Sequence, residues 1–208
     1  MRFIDWCKTV GVNITTMDTV VNKRVYPNFS NLAINSTLFG SPYIAFTFDY
    51  GTSDHLNVSS ILETYDMRGT FFICGSTIGT NGYLTVSNIT YLQSRGHEIG
   101  GSTFNNVHLS TLPLVNQTFQ IQRNYQLLTS YGLNVSSFAW PYGGDNTTLY
   151  GLLNSTGYRR ARDVGGYKTQ TSCTGCPNAQ QLPVPLSSKY VLRSFNVNSN
   201  ANLGKWIV

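Results

Sequence analysis

Four times along this chain a helix-forming stretch stops at a glycine and a short apolar run follows. Residues 58–67 end before Gly69, residues 86–95 before Gly96, and residues 147–156 before Gly157. A longer stretch, with Leu114, Thr118, Ile121, Tyr125 and Leu128 on one face, ends before Gly132. Glycine just past a helix suits the left-handed cap that closes it. The runs that follow, 70–74, 98–100, 136–140 and 158–161, read as strands, as do 43–48 and 190–195. Strands alternating with single helices predict parallel pairing through right-handed crossovers, an α/β architecture.

A chain of 208 residues supplies one domain with a real core and is too short for two ordinary ones. Charged residues make up only 11%, against roughly 25% in an average protein. Asn, Ser and Thr fill the gap, so the surface is polar and neutral. The net charge of +5 is scattered, with one tight cluster at Arg159, Arg160 and Arg162. A solvated face or a strand pattern explains that cluster better than nucleic acid, because no basic patch interleaved with aromatics accompanies it. No run of about 18 apolar residues is present that could span a bilayer.

Three strings carry the chemistry: Thr47-Phe48-Asp49-Tyr50-Gly51, then GHEIGGSTFNNVHL over residues 96–109, then Phe138-Ala139-Trp140-Pro141-Tyr142-Gly143. They resemble the main sequence blocks of the polysaccharide deacetylase (NodB-homology) family, T-F-D-D-G, G-H-E-I-G-N-H-T-x-S-H and R-x-P-Y-G. Residues 67–73 and 157–162 resemble two further family strings, and the likeness runs from about Tyr43 to about Ser194. The resemblance implies a distorted (β/α) barrel with its functional residues at the C-terminal ends of the strands. Asp49, Tyr50, Ser102, Trp140 and Tyr142 should therefore share one mouth. Residues 1–40 are expected to form an N-terminal extension or cap and residues 41–208 the barrel. The family's last block, which supplies a general acid His, has no counterpart after His108. The barrel is therefore expected to be incomplete, with an open edge that other protein subunits cover.

The resemblance also implies a divalent metal, usually zinc, held by a second Asp and two His. At those positions stand Tyr50, Ser102 and Asn106, and Asp49 keeps the base position. A phenol, a hydroxyl and an amide are poor zinc ligands beside imidazole, thiolate or carboxylate. Ala139 replaces the family's base-orienting Arg. The expectation is a site without zinc or other cofactor, and a pseudoenzyme. A relocated metal site from Asp49, His55 and His108 is the weaker alternative. His97 reads as a structural histidine, and no role is assigned to Asp163. Phe104, Asn105, Trp140 and Tyr142, beside Tyr50, suit a glycan groove, since aromatic faces meet the C–H faces of sugars. The competing reading is that the aromatics fill space vacated by the metal.

Four cysteines allow three pairings. Cys173 and Cys176 lie in a Gly/Pro/Ser/Thr-rich loop and are expected to form a small disulfide. Cys7 and Cys74 either staple the N-terminal extension to the barrel or remain free thiols. Asn-x-Ser/Thr acceptors begin at Asn13, Asn28, Asn35, Asn57, Asn88, Asn116, Asn134, Asn146 and Asn154, about twice the number expected at this composition. Some fall where helices begin and serve equally well as N-caps. Acceptors and disulfide together point to an extracellular or virion surface, although no signal peptide is visible. The resulting expectation is an inactive deacetylase-like structural or attachment protein, with cell-surface polysaccharide as a candidate ligand. The alternatives are a lectin-like pseudoenzyme and an active deacetylase of N-acetyl sugars with an atypical site.

Overall fold

The computed structural model describes residues 43–163, together with 11–19 and the single positions 5, 8, 9, 190, 192 and 194. Strand β1 is Asn13–Thr15 and β2 is Tyr43–Ala45. They pair in parallel as a small sheet of their own. The chain changes sheets at Phe46. There β3 (Thr47–Phe48) joins β4 (Thr70–Ile73), β5 (Glu98–Gly101), β6 (Val135–Ala139) and β7 (Arg160–Arg162). These five strands are all parallel, in sequential order, and curl into a half-barrel. Helices α1 (His55–Thr64), α2 (Val86–Ser94), α3 (Leu114–Ser130) and α4 (Thr147–Thr156) are the crossovers. The α/β barrel expectation holds.

Helix starts follow side-chain chemistry. Thr85 and Asn88 form a reciprocal capping box at α2, and the Asn146 side chain accepts from the Leu149 amide at α4. Helix α1 begins at His55, three residues before its apolar periodicity becomes visible. Helix α3 is rotated from the expected face: Leu114 is exposed, and Gln117, Gln120, Ile121, Asn124 and Leu128 are buried. Its polar members clip loops. Gln117 Nε2 donates to the carbonyls of Leu109 and Leu112, and Gln120 Oε1 accepts from the Asn105 amide at 2.8 Å.

Strand alternation divides the core in two. Phe71 and Ile73 of β4, Phe138 of β6 and Ala161 of β7 face the helices, where Ile89, Leu92, Ile121, Leu128, Leu149 and Leu153 pack on them. Phe72 and Ala139 face the inside of the curl with Met17 and Leu192. The same period turns Arg160 and Arg162 inward, and both are buried while Arg159 is exposed. Of the readings of this cluster, the strand pattern is the one observed. At the base, Arg160 pairs with Asp18 and lies 4.0 Å from Glu98. Glu98 also accepts from Thr70 Oγ1, Ser137 Oγ and the Asp18 amide, so residues 16–19 are stitched under the barrel. At the far edge, Leu192 bridges Arg162 in parallel, donating to the Ala161 carbonyl at 3.0 Å. This bridge is a single contact on the β7 edge, and the five strands form a half-barrel, as the expected incomplete barrel implies.

His97 is structural, as its place in the sequence indicated. Its Nδ1 accepts from the Gly69 amide at 3.1 Å, which puts the proton on Nε2, 3.2 Å from Glu63 Oε1. Burial drives its pKa below the ordinary 6.5, against the opposing pull of Glu63. Burial also lowers that of His55. A histidine whose folded pKa is depressed contributes stability that is fully present above the unfolded value. That contribution is lost as pH falls toward the folded value. The thermal midpoint should therefore drop between pH 7 and pH 5, and drop less steeply in His97→Gln, which keeps an acceptor for Gly69 and a donor for Glu63. Equal slopes in calorimetry would refute this.

Candidate functional site

The C-terminal ends of β3 to β6 open on one mouth, a cavity of about 200 Å³. Asp49, Tyr50, Cys74, Ser102, Asn106 and Tyr142 line it, over a floor of Phe72, Ala139, Trp140 and Pro141. Three residues that the sequence placed at metal positions do converge here. Asn106 Nδ2 donates to the Tyr50 hydroxyl and, at 3.3 Å, to that of Tyr142. Ser102 Oγ donates to the Ala139 carbonyl at 3.2 Å. The polar groups thus satisfy one another and the backbone.

The backbone beneath this ring is unusual. Among the described residues only four non-glycines have positive φ, and three are Tyr50 (79°), Asn106 (53°) and Tyr142 (58°). A tyrosine in the left-handed region costs on the order of 1–2 kcal/mol. Neighbouring Gly51 and Gly143 share the sign, so both loops bend sharply at the cavity. Such outliers persist only where surrounding structure over-determines them. Here buried Asn124 does part of that work. Its Nδ2 donates to the carbonyls of Ile73 (3.1 Å) and Ser102 (2.9 Å), fixing the ends of β4 and β5 from α3.

Zinc does not fit this donor set. Burial and the Tyr142 hydroxyl push the Tyr50 phenol up to about 12, so it stays protonated near neutrality. Burial also raises the Cys74 thiol, whose Sγ donates to the Phe104 carbonyl at 3.0 Å. Among the described residues no three His, Cys, Asp or Glu side chains come together as a metal cluster. The relocated set is not assembled. His55 is buried between Phe48 and Phe71, and His108 stacks on Tyr142 with ring centroids 6.0 Å apart. His108 also packs closely on Gly144, where an added Cβ would lie 2.5 Å from the ring.

Asp49 is the one carboxylate on the cavity wall, and it is paired. Arg162, 5% exposed, reaches it with Nη2 while its guanidinium lies 4.9 Å over the Phe72 ring. Burial lowers the proton affinity of Arg162 and Asp49 raises it. A guanidinium in such surroundings remains a cation. The sequence assigned Arg162 no such role, and its signal was the R-A-R alternation at the start of β7.

The expected glycan groove needs correction at three positions. Phe104 does not line the cavity; its ring packs edge-on to Phe119, under Arg123 of α3. Asn105 is held off by Gln120. Trp140 reaches the floor but is 0% exposed, with Nε1 donating to the Tyr190 carbonyl at 2.8 Å, so it offers no open face. The exposed aromatics that line the cavity are Tyr142 (62%) and Tyr50 (41%). Sequence reasoning found the strands that carry the mouth but not the rotation of each side chain. That rotation is set by tertiary contacts such as Phe104 on Phe119.

Cys74 is a free buried thiol; Cys7, Cys173 and Cys176 lie outside the described residues. Asn57, Asn116, Asn134, Asn146 and Asn154 are exposed and Asn88 half-buried. Asn88 and Asn146 serve at helix starts, as the capping reading had it, and Asn154 accepts from the Tyr190 hydroxyl at 2.9 Å. Asn13 lies in β1, and Asn28 and Asn35 are outside the described residues. No helix among the described residues is long and apolar enough to cross a membrane.

A sequence profile described as polysaccharide deacetylase matches residues 37–161. The chain belongs to the polysaccharide deacetylase family. A chitin deacetylase from Pestalotiopsis sp is 31% identical over 119 residues, 55% of this chain and 39% of the relative. The match therefore spans well under half of that relative's length. The Streptococcus pyogenes deacetylase PplD, solved with acetate, superposes with a TM-score of 0.71 at 18% identity, covering 95% of this chain and 79% of that one. A mutant of BA3943, a CE4 family pseudoenzyme, with restored enzymatic activity, gives a TM-score of 0.50 at 17% identity over 56% of this chain and 43% of that one. At such identities the superpositions speak for the fold.

Removing the amide clamp tests how the mouth is held. Asn124→Leu keeps the volume but strips two buried carbonyls of a donor, which should cost about 2 kcal/mol. The expected reading is a lower urea midpoint with unchanged m-value; an unchanged midpoint would mean the clamp does not hold the strand ends.

Proposed function

We propose that this chain is a non-hydrolytic member of its family whose mouth recognises N-acetylated polysaccharide, as an attachment or structural module on an extracellular or virion surface. One observation carries the reading: two of the three positions that the family devotes to metal, Tyr50 and Asn106, are hydrogen-bonded to each other, and Asn106 also to Tyr142, all three on left-handed backbone. Neutral hydroxyls and an amide beside an exposed tyrosine face match the hydroxyl edges and C–H faces of a sugar. The chitin deacetylase relative supports an N-acetylglucosamine polymer as the first ligand class to test. The exposed sequon asparagines support an outer-surface location. Subunits that cover the remaining barrel edge belong to the same reading.

Titration of chitooligosaccharides by calorimetry or NMR should give saturable binding that Tyr142→Ala weakens about tenfold, roughly 1.4 kcal/mol. No binding by either protein would remove the glycan part of the reading. Restoring Tyr50→Asp, Ser102→His and Asn106→His together should create micromolar or tighter zinc binding that the parent chain lacks. A folded triple variant that binds no zinc would contradict the assignment of the vacated positions.

The second reading, an active deacetylase with an atypical site, draws on the Asp49–Arg162 pair, which keeps a carboxylate oriented at the base position. Metal analysis of the native protein with an acetate-release assay separates the two. Release abolished by a chelator would establish the second reading and end the first.

A further inference from the structure

The pairing of β6 with β7 sets Ala139 directly opposite Arg162. Partners in a parallel ladder lie roughly 4.8 Å apart and project to the same face. Both side chains here enter the interior of the curl: Ala139 belongs to the inner cluster with Phe72, and Arg162 stacks on Phe72. Ala139 and Asp49 both line the cavity, and the Arg162 guanidinium ends on Asp49. A cation rooted at either position of this register pair reaches the same carboxylate. Alanine at 139 supplies the room the Arg162 side chain crosses. An arginine at both positions would crowd two cations against one half-exposed anion.

We infer that Arg162 is the positioning residue for Asp49, a cation delivered from β7 into the place that β6 leaves open at Ala139. The guanidinium spends Nη2 on Asp49. Its Nη1 lies 3.3 Å from the Asp163 carbonyl and 3.4 Å from Ser194 Oγ, and Nε has no partner among the described residues. With 94% of its side chain out of water, the cation has Asp49 as its ion-pair partner among the described residues. Asp49 in turn has its carboxylate held toward the barrel axis instead of free at the rim. The inference stands apart from the glycan reading, since it concerns how the wall is built and not what occupies the cavity.

The test is relocation of the cation, read by urea denaturation of the full chain. Arg162→Ala should lower the folding equilibrium constant at least thirtyfold, and Ala139→Arg placed in that background should recover at least tenfold. Arg162→Lys, which keeps the charge, should lose less than Arg162→Ala. In a cycle with Asp49→Asn, the losses at 49 and 162 should be non-additive by at least tenfold; a residue that only packs on Phe72 would give additive losses. Should Arg162→Ala fail to fold, folding of Ala139→Arg/Arg162→Ala supports the inference and its failure to fold overturns it. An additive cycle, or a relocated arginine that recovers nothing, also overturns it.

Discussion

Two buried cations set the terms for the rest of this half-barrel. A strand that reads Arg-Ala-Arg in a parallel sheet must send both arginines to one face, and here that face is the inside of the curl. Each guanidinium stripped of water costs several kcal/mol unless an anion and further acceptors meet it. The barrel answers at both ends. Arg160 at the base gathers Asp18 and Glu98, and through Glu98 the hydroxyls of Thr70 and Ser137. Arg162, one pleat further, takes Asp49 at the mouth. The N-terminal segment and the first loop after β3 are thus tied to opposite ends of one strand. Base and mouth are fixed by the same three-residue element.

At the mouth, left-handed backbone and side-chain hydrogen bonds go together. Tyr50, Asn106 and Tyr142 sit on left-handed residues in three separate loops and still meet in one hydrogen-bonded ring. Tyrosine has no local hydrogen bond with which to ease that conformation, whereas Asp and Asn do. Loops that folded for their own sake would relax such strain. They are held from outside by Asn124 under the strand ends, by Gln120 on the loop after β5, and by His108 wedged between Tyr142 and Gly144.

The sequence disclosed the scaffold through local rules and disclosed the site only where those rules suffice. Helix ends at Gly96, Gly132 and Gly157, the cap at Asn146, and the parallel pairing of the strands follow from local propensity and periodicity. The face of α3 did not, because Gln117, Gln120 and Asn124 are buried for hydrogen bonds to other elements, and a hydrophobic period cannot register buried amides. Trp140 and Phe104 stood in the right loops, yet their rings turned to Tyr190 and Phe119, partners distant in sequence. Arg162 was hidden for the opposite reason. Its residue type signals the surface, and only the inward phase of β7 relative to Ala161 identifies it as buried.

Charge balance follows from this arrangement. An unpaired Asp49 would give a small, largely apolar cavity a lone negative charge, which attracts a cationic amine. With Arg162 across its carboxylate the wall is neutral in sum, and one arginine nitrogen leaves the carboxylate with acceptor capacity to spare. Around it stand two phenols, an amide and a hydroxyl, and the Tyr50 phenol stays protonated near neutrality. Such a surface rewards ligands rich in hydroxyls and amides and offers nothing extra to a free ammonium group. On the proposed reading, an acetylated sugar meets that description better than its deacetylated counterpart, which carries the ammonium group.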